Sequence, residues 1–334
     1  MAFFLGWESN QNDLSERPRI RPQTCKCPSD TFRKCMCFSE TRKCSPCLHT
    51  AGDSNWFDRR FERAIEPLLS EEPMSSDALM LWLGMKSGKE FEKQKQQSIK
   101  MSPSPSLGRG GSSCLTCAVV GNSRLLRGSG LGSTINQHDV VLRMNQAPVQ
   151  GFETDVGNVT TVRIMYPDIA SMRDPGAQLL LLPLNVSGLD WFMRALENQD
   201  FIWKPRNPGC GGKGGLVGGD SGDPRETLAG YLGTPRAYVS IISLTFLKYV
   251  QEHWLNLEPL DGNDYLPSLG FVALLYALHT CDQVSLFGFG TDNFLKWSHY
   301  WDDKYQFTSD MHSFTSESKI ILYLQCEGKV AIYS

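Results

Sequence analysis

Six short, unbroken apolar runs leave this chain little choice of architecture. They are "CAVVGN", "HDVVLRMN", "VRIMYP", "QLLLLPL", "QVSLFGFG" and "KVAIYS". A strand with one wet face alternates apolar and polar residues, whereas a continuous apolar strand must be covered on both faces. Helix-like stretches fall between the runs: "LDWFMRALEN", "LTFLKYVQEHWL" and "GFVALLYALHT". That alternation predicts an α/β fold, a mostly parallel Rossmann-like sheet with helices on both faces.

Composition shifts mark three parts. Residues 1–43 mix Pro, Ser, Arg and Cys without apolar periodicity and read as a tail or stem. Residues 44–113 read as a helical N-terminal part and linker. In "NWFDRRFERAIEPLL" the helical spacing of Trp56, Phe57, Phe61, Ile65 and Leu68 predicts a helix. "DALMLWLGM" is a second, and residues 88–113 are a polar linker rich in Pro, Gly and Ser. Residues 114–334 carry the sheet pattern and read as the compact domain, interrupted by the glycine-dense insertion "GCGGKGGLVGGDSGD" at 209–223. A net charge of −3 gives no basis for a nucleic-acid partner. No apolar run approaches the roughly 18 residues that a membrane span needs. The start, "MAFFLGWESNQND", has a short apolar patch but lacks the basic region and the long apolar region of a signal peptide.

Eleven cysteines are many for 334 residues, and six of them fall within residues 25–47. Such close spacing suits zinc or disulfides. The sequons at Asn158 and Asn185 fit an oxidising lumen, which favours disulfides.

Chemistry is expected where strands end. In "GNS" Gly121 permits a sharp turn after the first strand, and Asn122 offers an amide to a phosphate or sugar oxygen. Asn145 ends the second strand in the same way. Ser268 and Gly270 open an apolar helix whose first turn attracts an anion. The strand after that helix delivers Gly288-Phe289-Gly290, a backbone surface for a nucleotide ring. His299 in "SHYWDD" and His312 in "MHSFTSE" sit among polar and aromatic residues, and Glu317 follows His312 by five. Either imidazole suits a general base or a phosphate contact. Neither an Asp-x-Asp, a His-Glu-x-x-His nor a Walker loop is present, so no metal is expected. A dinucleotide-dependent oxidoreductase would need Gly-x-Gly-x-x-Gly after the first strand, and "GNSRLLRG" is not that sequence.

Taken in order, these segments resemble the eukaryotic-type sialyltransferases, in particular the β-galactoside α-2,3-sialyltransferases acting on Gal-β1,3-GalNAc. "CAVVGNS" through "GFETDVGNVTT" is similar to the family's long motif. Pro267-Ser268 through "ALHTCDQVSLFGFGTD" is similar to its short motif, "SHYW" to its third, and His312 with Glu317 to its very short motif. The resemblance implies a GT-A-like variant fold and inverting, cofactor-free transfer from CMP-sialic acid to galactose-terminated glycoprotein or glycolipid acceptors. It implies donor contacts at Asn122, Asn145, Ser268, Gly270 and Gly290. His299 is then expected on the departing phosphate and His312 as the base on the acceptor hydroxyl. It implies disulfides Cys117–Cys281 and Cys44–Cys114. A homodimer and a Golgi location are further expectations, although this sequence has none of the family's signal-anchor helix. Departures stand at Ser298 (usually His), Leu266 (Tyr), Leu269 (Thr), Ile242 (Tyr) and about Lys86 (Gln). They make a catalytically impaired paralogue, binding glycan or nucleotide without turnover, the alternative reading.

Overall fold

The computed structural model describes residues 52, 54–70, 96, 115–166, 174, 176–183, 239–256, 266–290, 296–302, 306–307 and 312–333. The tail, the second N-terminal helix, most of the linker, Cys44, Cys114, Asn185, Lys86 and the glycine-dense insertion lie outside them.

The six apolar runs do form strands, and a seventh joins them. They are β1 (Thr116–Val120), β2 (Val140–Met144), β3 (Val162–Met165), β4 (Gln178–Leu181), β5 (Val239–Ile241), β6 (Gln283–Phe287) and, last in the chain, β9 (Ala331–Tyr333). Every pairing in this sheet is parallel, in the order β5-β4-β3-β2-β1-β6-β9. A two-residue antiparallel ladder, β7 (Lys296–Trp297) with β8 (Gln306–Phe307), stands apart.

Alternate residues of each strand feed two apolar layers, which is why the runs are continuous. Cys117, Val119, Leu142 and Leu286 face one layer; Ala118, Val120, Val141 and Phe287 face the other. Over the first layer lie α5 (Leu269–Thr280), α4 (Leu244–Tyr249, continued as a π-helical turn over Val250–Leu255) and α6 (Phe314–Cys326). The short helices α2 (Gly132–Ile135) and α3 (Glu153–Val156) cover the second. Phe271, Leu274, Leu275 and Leu278 of α5 are fully buried. At about 1.5–3 kcal/mol for each such side chain, packing rather than helix propensity holds α5 in place.

The predicted N-terminal helix is cut short. α1 spans only Asn55–Asp58, capped by the Ser54 hydroxyl on the Phe57 amide. The Glu62 amide goes instead to the Tyr249 hydroxyl at 3.0 Å, and the Glu62 carbonyl meets the imidazole of His279. Tertiary bonds thus replace the helical ladder. Phe61 still stacks on Phe57, so the spacing that looked helical is core packing from an irregular segment.

Cys117 is disulfide-bonded to Cys281 across 164 residues of sequence. Both are buried. Cys326, at the end of α6, is also disulfide-bonded, to a residue outside those described. Asn158 is exposed in the loop before β3, at the edge where that strand begins. Among the described residues no helix is long and apolar enough to cross a membrane.

Candidate functional site

In an open parallel sheet the ligand crevice lies beyond the carboxyl ends of the strands, where the connections diverge to opposite sides. Here that point falls between β1 and β6. A cavity of about 310 Å³ occupies it, lined by Gly121, Asn122 and Ser123 after β1, Met144 and Asn145 at the end of β2, and Gly288, Phe289 and Gly290 after β6. The start of α5 (Ser268, Leu269, Gly270) and His312, Phe314 and Glu317 around the start of α6 close it. Six of the sequence-predicted site residues therefore share one cavity: Asn122, Asn145, Ser268, Gly270, Gly290 and His312.

The strand ends meet closely. A Cβ on Gly121 would stand 2.4 Å from the Gly288 carbonyl oxygen, and the Gly121 amide donates to the Phe287 carbonyl at 2.7 Å. Only glycine fits where β1 leaves the sheet against β6. Asn145 adopts the left-handed region (φ 49°), which asparagine tolerates better than most residues. The side-chain Oδ1 atoms of both Asn122 and Asn145 are buried without a hydrogen-bond partner. Buried polar atoms are rarely left unpaired, so a pair of them on a cavity wall points to a polar ligand.

His312 is fixed by its surroundings. Its Nδ1 lies 2.7 Å from the Leu266 carbonyl oxygen. A carbonyl can only accept, so Nδ1 carries the hydrogen and the neutral ring presents a bare Nε2. His299 lies outside the cavity lining, behind Ser123, to which its backbone is bridged. Its Nδ1 is 3.0 Å from an Asp302 oxygen and its ring stacks on Trp301 at 4.0 Å. Burial pulls its pKa down from the ordinary value, while Asp302 pushes it up. The Arg124 amide on the Ser298 carbonyl and the Tyr300 amide on the Asn122 carbonyl tie this segment to the turn after β1.

The anion expected at the start of α5 is supplied by the chain itself. Glu317 accepts from the Ser268 amide and from the Ser268 hydroxyl, both at 2.6 Å, and the same hydroxyl caps the Phe271 amide at 3.1 Å. The interval between His312 and Glu317 thus places an imidazole and a carboxyl anchor on one wall. Glu317 is 4% exposed. Desolvation raises its pKa to about 7, against the two hydrogen bonds from Ser268. A carboxyl whose folded pKa lies above its unfolded value binds more protons when folded. It therefore favours folding below the unfolded value, and that contribution is lost as pH rises through about 7. Glu317→Gln keeps the hydrogen-bonding shape without the charge. Thermal unfolding from pH 4.5 to 7.5 is expected to show wild type losing stability relative to this variant as pH rises; parallel curves would refute it.

The sequence reading missed Tyr166, Phe314 and Ile321, which line the cavity. Tyr166 was visible only as the residue ending "VRIMY". Of the departures, Leu269 lines the cavity, whereas Ile242 is buried in the core beside Leu68. Among the described residues no group of three or more His, Cys, Asp or Glu side chains could hold a metal ion.

A profile of glycosyltransferase family 29 (sialyltransferase) matches residues 70–329. The chain is 33% identical over 286 residues to the chicken (Gallus gallus) CMP-N-acetylneuraminate-beta-galactosamide-alpha-2,3-sialyltransferase 1, covering 82% of this chain and 76% of that one. It is 28% identical to the mouse (Mus musculus) lactosylceramide alpha-2,3-sialyltransferase, over 98% of this chain and 78% of that one. The fold superposes on a crystal structure of a mammalian sialyltransferase in complex with Gal-beta-1-3GalNAc-ortho-nitrophenol. The TM-score is 0.70 at 30% identity, covering 88% of this chain and 99% of that chain.

Proposed function

The chain belongs to glycosyltransferase family 29, the sialyltransferases, and on that premise we propose that it transfers sialic acid from CMP-sialic acid to the 3-hydroxyl of terminal galactose in Gal-β1,3-GalNAc acceptors. The observation that carries the reading is the bare Nε2 of His312 on the same cavity as the unpartnered side-chain oxygens of Asn122 and Asn145.

The acceptor O3 attacks the anomeric carbon of sialic acid as the bond from that carbon to the CMP phosphate breaks, with inversion. The hydroxyl proton passes to His312 Nε2, as general-base catalysis requires. That anomeric carbon is fully substituted and carries a carboxylate, so bond breaking runs ahead of bond making. The charge growing on the phosphate must be met by fixed donors. We assign this duty to His299, as the family resemblance implies; its segment is tied to the turn after β1 and its ring is held by Asp302. Burial holds its pKa below the ordinary value, Asp302 opposes that, and the arriving phosphate opposes it further, drawing the ring toward imidazolium. Asn122 and Asn145 contact CMP, with Ser268, Gly270 and Gly290 framing the nucleoside. The buried Cys117–Cys281 disulfide supports residence in an oxidising compartment, here the Golgi lumen.

The test incubates the protein with CMP-sialic acid and Gal-β1,3-GalNAc and identifies the product linkage. An α-2,3 product is expected, at a rate unchanged by EDTA. A different linkage, or loss of activity on chelation, would overturn the acceptor or the metal-free part respectively. CMP binding without turnover would mark the impaired paralogue, a reading that the apolar Leu269 on the cavity wall favours.

A further inference from the structure

Two arginines stand side by side in register on neighbouring strands, Arg143 on β2 and Arg163 on β3, both sealed from solvent. Burying a guanidinium is costly unless most of its N–H groups find partners, and in Arg143 the Nη1 lacks one. Arg143 donates to the carbonyls of Val156 and Val159 and to the Thr160 hydroxyl, securing the loop between α3 and β3. Arg163 is directed elsewhere. Its Nε pairs with the Asp174 carboxylate, while its Nη1 donates to the Asn145 carbonyl at 2.6 Å and the Ala147 carbonyl at 3.3 Å.

Those two carbonyls belong to the turn that leaves β2. Its first residue lines the cavity, holds a left-handed backbone and carries a buried, unpartnered side-chain oxygen. A third carbonyl of the same turn, that of Pro148, accepts from the Tyr300 hydroxyl, next in sequence to His299. The turn is thus gripped through its backbone, which leaves the Asn145 side chain to the ligand.

We propose that Arg163 is a positioning residue for the donor nucleotide: braced by Asp174, it holds the Asn145 carbonyl and so fixes the amide that CMP meets. The inference rests on Asn145 being a donor contact. A lysine cannot reproduce it, because one ammonium lacks the planar fork that reaches a carboxylate and two carbonyls together.

Titration calorimetry with CMP on wild type, Arg163→Lys, Asn145→Ala and the double variant tests the idea, with thermal unfolding and KM values alongside. Arg163→Lys is expected to weaken CMP about tenfold, the equivalent of one charge-assisted hydrogen bond. KM for CMP-sialic acid should rise while KM for the acceptor stays unchanged. Because the arginine acts through Asn145, the double variant should bind CMP no more weakly than Asn145→Ala alone. Additive losses, or wild-type affinity in Arg163→Lys, would overturn the inference while leaving the donor reading standing. A wild-type protein that does not bind CMP would remove both. Should Arg163→Lys not fold, Asp174→Ala removes the brace from a less deeply buried position. It should weaken CMP in the same direction, again with no added effect on Asn145→Ala; an added effect counts against the inference.

Discussion

Substituting alanine for His312 is expected to slow transfer to Gal-β1,3-GalNAc by about 10²–10⁴-fold, the usual range for a general base, with CMP affinity unchanged. At 1.36 kcal/mol per decade that is about 3–5 kcal/mol of transition-state stabilisation. The structural reason is the contact between Nδ1 and the Leu266 carbonyl, which commits Nε2 to receiving a proton. The neighbouring groups on that wall do not offer a substitute: Glu317 is spent on Ser268, and Tyr166 has its hydroxyl pKa pushed up to about 12 by burial. Initial rates at saturating donor check the prediction, and CMP titration shows that the cavity survives. A variant within about tenfold of the wild-type rate would assign the base elsewhere.

The second large effect concerns Cys117 and Cys281. Closing a loop of 164 residues is worth up to about 5 kcal/mol in the chain-entropy picture, and removal of native disulfides typically costs 2–5 kcal/mol. Against a total stability of about 5–15 kcal/mol, that is a large share. At the upper figure of about 5 kcal/mol, the Cys117→Ala, Cys281→Ala double variant is expected to unfold about 10–20 °C lower, at roughly 2–4 °C per kcal/mol for a domain of this size. Differential scanning of oxidised wild type, reduced wild type and the double variant checks this. Because reduction also opens the disulfide at Cys326, reduced wild type should agree with the reduced variant, and a shift of only a few degrees between the oxidised proteins would relegate the Cys117–Cys281 bond to a minor role.

The sheet was legible in the sequence because burial on both faces writes itself as uninterrupted apolar letters. Asn122, Asn145 and Gly290 were legible because they follow strand ends, and Ser268, Gly270 and His312 because they stand at helix starts. The "NWFDRRFERAIEPLL" segment misled, because Phe61 and Ile65 answer to the core while the Glu62 backbone is claimed by Tyr249 and His279, far away in sequence. The placement of His299 behind Ser123, rather than on the cavity wall, depends on a backbone bridge that no spacing announces. Arg163 was invisible for a related reason. It acts on carbonyl oxygens, which every residue possesses, so no side-chain pattern marks its target.

The central position of β1 has a consequence for biosynthesis. Its β2 neighbour is translated about twenty residues later, but its other neighbour, β6, only after β3, β4 and β5 have left the ribosome. Throughout that interval the nascent sheet keeps one naked flank, the kind of edge on which other chains assemble. Cys281 stands immediately before β6, so the bond to Cys117 tethers β1 to the very segment that covers that flank.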